Sequence, residues 1–105
     1  MNSTVKHFCI ANWKMSLSNK ESIDYINKLN TLHFNENCEI VICPSYTSIS
    51  DIVKLNINNI YNVGAQDVSS FEKGAYTGQI SINMLEHLNC KYVILGHSER
   101  RKHCN

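Results

Sequence analysis

Four short apolar runs, separated by stretches with helical spacing, constrain this chain more than any other feature. They are Phe8-Cys9-Ile10-Ala11, Ile40-Val41-Ile42-Cys43, the weaker Ile60 to Gln66, and Tyr92-Val93-Ile94-Leu95. An unbroken apolar run of this length suits a strand buried on both faces. Between the first two runs, Ile23, Ile26 and Leu29, with Tyr25 and Leu32, recur at helical spacing behind a Ser18-Asn19-Lys20-Glu21 capping box. Pro44 stops the second run, Ser45 to Ser48 offer N-caps, and Ile49, Ile52, Val53 and Leu55 form a second helix face. Asn56 to Asn62 reads as helix exit and turn, and Asp67 to Gln79 as a long polar loop pivoting on Gly74 and Gly78. Ser81 caps a third helix carrying Ile82, Leu85 and Leu88, and the fourth run ends at Gly96.

The order β-α-β-α-β-α-β makes this an α/β chain with a parallel sheet and right-handed crossovers. Periodicity alone leaves open whether the sheet is doubly wound or part of a closed barrel. The 105 residues suffice for one compact domain, without linker or low-complexity tract. They fall well short of the roughly 250 that a full eight-stranded α/β barrel needs.

Charge excludes some functions. A net charge of +1 with scattered cations gives no footprint for nucleic acid or an anionic membrane. No run is long enough to span a bilayer, and Met1 to Trp13 has no signal-peptide pattern, so the chain reads as cytoplasmic. The five cysteines (Cys9, Cys38, Cys43, Cys90, Cys104) read as mostly core thiols. His97, His103 and Cys104 cluster without a Cys-x-x-Cys, so no metal is expected.

Parallel strands put everything that follows them on one rim. Asn12-Trp13-Lys14-Met15 follows the first run, Ser45 and Tyr46 the second, Gln66-Asp67 the third, and His97-Ser98-Glu99-Arg100-Arg101 the fourth. Lys14 suits a phosphate or a developing oxyanion, and Asn12 can donate to oxygen without adding charge. His97 should open a helix, whose positive end disfavours an imidazolium, and Glu99 is the nearest negative charge for Lys14. Read individually, Asn12 and Lys14 could be a solvated strand end, His97 a cap or core histidine, and Glu99 a first-turn acid. Together they describe a rim site for a small anion.

Asn12-Trp13-Lys14-Met15, Gly64-Ala65-Gln66, Gly74-Ala75-Tyr76-Thr77-Gly78 and Gly96-His97-Ser98-Glu99-Arg100-Arg101 resemble, in order and spacing, four motifs of the triosephosphate isomerases. The resemblance covers essentially the whole chain. It implies the N-terminal half of a (β/α)8 TIM barrel, with residues 1–105 part of a single domain. It also implies interconversion of dihydroxyacetone phosphate and glyceraldehyde 3-phosphate through an enediolate, without cofactor or metal, in a homodimer. By resemblance, Asn12 and Lys14 contact the substrate, and His97 is the neutral electrophile. This family is often used to illustrate a neutral catalytic imidazole. Glu99 pairs with Lys14, while Gly74, Tyr76, Thr77, Gly78 and Met15 belong to the dimer interface.

Ser16 stands where the family usually has Asn, Gln79 where it has Glu, and Ile82 where Pro is common. The larger departure is that the family's general-base Glu and phosphate lid come from strands these 105 residues do not contain. The 105-residue chain alone is therefore expected to be inactive. The alternatives are a truncated non-enzymatic product and a self-associating half-barrel.

Overall fold

The computed structural model describes residues 7–34 and 37–103. Strands β1 (His7–Asn12), β2 (Cys38–Cys43), β3 (Tyr61–Ala65) and β4 (Tyr92–Val93) lie side by side in that order, all parallel. Helices α1 (Asn19–Leu29), α2 (Tyr46–Lys54) and α3 (Ile82–His87) connect them, and α4 (Ser98–His103) follows β4. The sheet curls into a half-barrel.

Local chemistry explains the helix boundaries. Ser18 accepts from the Glu21 amide while the Glu21 carboxylate accepts from the Ser18 amide, so the capping box is complete. These bonds hold the Glu21 carboxyl below its ordinary range. Ser81 accepts from the Met84 amide at the start of α3. Ser45 occupies the N-cap of α2 without a side-chain bond. At the exit of α2, the Asn56 side chain accepts from the Ile60 amide at 3.1 Å and donates to the Tyr61 carbonyl at 2.5 Å.

The in-register pairing sorts residues by face. Ile40, Ile42, Tyr61, Val63 and Ala65 point outward and form the core with Ile26, Ile49, Ile52 and Leu85 from the helices. Phe8 and Ile10 point to the concave side, level with Glu39 and Val41. There Phe8 meets Tyr92 edge-to-face, with ring centroids 6.3 Å apart, so the first and fourth strands approach each other across the curl. The Glu39 carboxylate accepts from Asn62 at 3.2 Å and from the Tyr92 hydroxyl. Only glycine fits at position 64, because a Cβ there would lie 2.8 Å from Cys43 Sγ.

Several expectations need correction. The first run is not buried: Phe8 is 55% and Ile10 57% exposed, and Cys9 is exposed rather than a core thiol. β1 is the sheet edge, and its first four residues are exposed on both faces, with Tyr92 reaching only Phe8 on the concave side. The fourth strand is two residues long, not four, although the Ile94 amide still donates to the Ala65 carbonyl. Leu95 has left the ladder and is 70% exposed. Only Leu85 of the α3 face is buried, while Ile82 and Leu88 are exposed. Tyr25 in α1 and Leu32 beyond its end are exposed, and Ser22 takes a buried place beside Ile26 by donating to the Ser18 carbonyl.

Candidate active site

Each rim residue is delivered by a strand end. Asn12 is the last residue of β1 on the concave face, and its Oδ1 accepts from the Lys14 amide at 3.0 Å. That turn leaves the Asn12 Nδ2 hydrogens for a ligand oxygen. Between them, Trp13 is fixed at both ends. Its amide donates to the Cys43 carbonyl at 3.1 Å, and its ring meets Tyr25 edge-to-face at 5.2 Å.

Lys14 sits at φ +53°, in the left-handed region that a lysine seldom occupies. Such backbone strain costs about 1–3 kcal/mol. It is met from two sides: Asn12 takes the Lys14 amide, and Gln66 Nε2 donates to the Lys14 carbonyl at 2.7 Å. Two hydrogen bonds worth about 1 kcal/mol each offset most of that cost.

The Lys14 ammonium donates to Glu99 Oε1 at 2.7 Å, although the two residues lie 85 positions apart. Both side chains are about half exposed, at 52% and 51%. An ion pair this wet contributes no more than about 1 kcal/mol. Its consequence is placement: the cation is carried over the cleft toward the β4 side.

His97 follows Gly96 and forms the N-cap of α4. Gly96 makes the turn at φ +60°, where a Cβ would lie 2.8 Å from the Arg101 guanidinium. The Glu99 amide donates to His97 Nδ1 at 3.1 Å. An imidazolium carries hydrogen on both nitrogens and could not accept there. With Nδ1 accepting from that amide, the ring's hydrogen falls on Nε2, a tautomer assigned from the bonding pattern. Glu99 Oε2 also stands 3.5 Å from Nδ1, as it would in an ion pair. The amide contact is the shorter of the two and belongs to the helix cap.

These groups line one cleft of about 520 Å³, which contains Asn12, Lys14, Gln66, His97 and Glu99. Tyr46 and Arg100 stand at its lip, both tied to Asp67. The Tyr46 hydroxyl donates to the Asp67 carbonyl at 2.6 Å, and Arg100 Nε lies 3.0 Å from Asp67 Oδ2. Burial, and then the Asp67 charge, push the Tyr46 phenol above its ordinary range, so it stays a donor at neutral pH. A larger depression, about 740 Å³, opens at the amino-terminal ends of the strands around Asn30, His33 and Glu39. Among the described residues no Lys or Arg lines it.

The remaining candidates sit apart. Every residue from Phe71 to Gln79 is exposed, including Gly74, Tyr76, Thr77 and Gly78, and the rings of Phe71 and Tyr76 stack at 4.0 Å. Met15 is 97% exposed beside the cleft. Sequence reasoning put Gln66 and Asp67 on the rim but did not foresee what they bond. Nothing in the sequence marks a pairing between Asp67 and Arg100, which meet only through the fold.

Among the described residues, no helix is long and apolar enough to cross a membrane. No group of three or more His, Cys, Asp and Glu side chains there could hold a metal. The His97, His103, Cys104 grouping reaches beyond the described residues.

A family model described as triosephosphate isomerase matches residues 7–105. The chain is 42% identical over 94 residues to the triosephosphate isomerase of Clostridium botulinum (strain Loch Maree / Type A3), covering 90% of this chain and 38% of that protein. It is 40% identical over 100 residues to that of Alkaliphilus oremlandii, covering 95% and 40%. Against that of Moorella thermoacetica it is 44% identical over 92 residues, covering 88% and 37%. The chain thus spans well under half the length of these curated relatives.

Proposed function

The chain belongs to the triosephosphate isomerase family, and on that premise we propose that its complete gene product interconverts dihydroxyacetone phosphate and glyceraldehyde 3-phosphate. The observation that carries this reading is the meeting of Lys14 with Glu99, 2.7 Å apart over a cleft that also holds Asn12 and His97. Residues 1–105 supply the N-terminal part of a single barrel domain.

In this reading the Lys14 ammonium balances substrate charge, and Asn12 donates to a substrate oxygen. His97 donates from Nε2 to the carbonyl oxygen as negative charge builds there. A neutral imidazole can hand that hydrogen over and recover one from the adjacent oxygen, which a fixed cation cannot do. Glu99 holds Lys14 and, through its amide, fixes the tautomer of His97. The base that removes the carbon-bound proton lies outside these 105 residues. The chemistry requires no cofactor or metal, and a free phosphorylated triose suits a cytoplasmic enzyme.

The exposed 71–79 loop supports a homodimer, because its stacked Phe71 and Tyr76 offer apolar surface away from the chain's own core. Met15, almost wholly exposed beside the cleft, lies where a partner's loop would cover it.

The test is a coupled isomerisation assay on the complete gene product. His97→Ala should lower kcat by about a hundred- to ten-thousandfold, and Lys14→Ala should weaken substrate binding. A complete product with no isomerase activity, or a His97→Ala variant with undiminished activity, would overturn the proposal.

A further inference from the structure

The reading above leaves Gln66 without a part in the reaction, yet this side chain ties the rim together. It immediately follows β3. Its single amide nitrogen donates to two main-chain carbonyls, Lys14 at 2.7 Å and Cys43 at 2.9 Å. A glutamine amide has two hydrogens, and both are used. One side chain thus joins the carboxyl ends of the first three strands at the lip of the cleft.

The two bonds differ in consequence. β1 and β2 are already paired in register from His7↔Cys38 to Asn12↔Cys43, so another bond to the Cys43 carbonyl adds little to that ladder. Lys14 lies beyond the ladder, in a left-handed conformation at φ +53°. Its side chain is half exposed, so packing does not hold it. What fixes its backbone is Asn12 Oδ1 at the amide and Gln66 Nε2 at the carbonyl. If the carbonyl were released, the peptide could relax toward ordinary φ, and the stem carrying the ammonium would start in another direction.

We infer that Gln66 is a positioning residue that acts through Lys14. By holding the Lys14 carbonyl it sets the backbone from which the ammonium crosses the cleft, and so sets the affinity for the anionic substrate. This rests on the reading of the cleft as a triose phosphate site. Misplacing a binding group by about 1 Å can cost up to about a hundredfold. Solvent can partly replace an exposed donor, so a smaller loss is expected.

The experiment uses the complete gene product with Gln66→Met, which keeps length but has no donor, and Gln66→Glu, whose carboxylate can only accept. Both should move the Lys14 Cα and Cβ NMR resonances away from their left-handed values. Both should raise KM for dihydroxyacetone phosphate about tenfold, with kcat far less affected. In a Lys14→Ala background, Gln66→Met should add nothing further. Unmoved Lys14 resonances would overturn the inference, as would a Gln66→Met loss that persists in full without Lys14, since that would describe a structural tie. Should neither variant fold, the wild type decides. Its Gln66 side-chain amide protons should exchange more slowly than those of exposed Gln79, and equal rates would refute the bonds. If the complete product does not isomerise the triose phosphate, the functional proposal falls, while the Lys14 resonances still decide the part played by Gln66.

Discussion

At the scale of single residues, the cleft is held by contacts to main chain. Gln66 grips carbonyls, Asn12 grips an amide, and His97 takes an amide at Nδ1. The core uses the same device at Tyr61, which is 3% exposed and donates its hydroxyl to the Ile52 carbonyl at 2.6 Å. Burial pushes its phenol up to about 12, and pushes the Cys43 thiol up to about 11. Both groups are neutral when protonated, and both folded values lie above the ordinary ones. Their contribution is therefore full below the ordinary values of 9.0 and 10.0 and is lost as pH rises toward 11 and 12. In the complete gene product, urea midpoints should fall across that alkaline window. Tyr61→Phe should cost about 1 kcal/mol near neutrality through the lost bond and should flatten the upper part of the decline. An alkaline decline as steep as the wild type's would show that Tyr61 does not cause it.

At the scale of elements, sequence patterns served the helix starts well and the strand limits less well. The Ser18 and Ser81 caps depend on residues three positions apart, so local sequence contains them whole. Burial of β1 depends on what lies over it, and an apolar run cannot carry that information. The 71–79 loop shows both sides. Its glycines predicted the pivots, found at φ +139° for Gly74 and +86° for Gly78, but only the fold stacks Phe71 on Tyr76. If this loop makes the dimer, Tyr76→Asp with Thr77→Asp in the complete gene product should bury unpaired charge in the interface. The dimer Kd should rise at least about tenfold, equivalent to about 1.4 kcal/mol. Sedimentation equilibrium measures this directly, and an unaltered Kd would remove the loop from the interface.

At the scale of the molecule, the half-barrel is an open shell. Its radius of gyration is 14.9 Å, where a compact domain of about 100 residues measures about 13 Å. Phe8 and Ile10 on β1 and Leu95 just past β4 leave apolar surface exposed, and the outer edges of β1 and β4, unpaired among the described residues, can pair with another chain. A 105-residue polypeptide of this sequence should therefore self-associate in sedimentation velocity. It should also show no isomerisation above its own His97→Ala control, since it spans only about 38–40% of the length of its relatives and the resemblance puts the general base and lid in the remainder. Activity clearly above that control, with host enzyme excluded, would mean that a group within these residues, Glu99 first, can remove the carbon-bound proton. Discrete stable oligomers would favour the self-associating half-barrel over nonspecific aggregation.

The order of strands and helices, the Ser18 capping box, the Ser81 cap and the rim positions of Asn12, Lys14, His97 and Glu99 were legible in the sequence. Each follows from local spacing together with the rule that parallel strands end on one side. The resemblance added roles that residue types alone leave open. What only the tertiary structure decided are relations between distant positions: Gln66 reaching back to Lys14, Arg100 meeting Asp67, and Glu39 shared by Asn62 and Tyr92. It also decided which apolar runs are covered, so that Ile40 and Ile42 are core while Phe8 and Ile10 are not. The reason is physical. Periodicity encodes the conformation of a segment and the side its residues share, whereas burial and pairing depend on what the rest of the chain brings against that side.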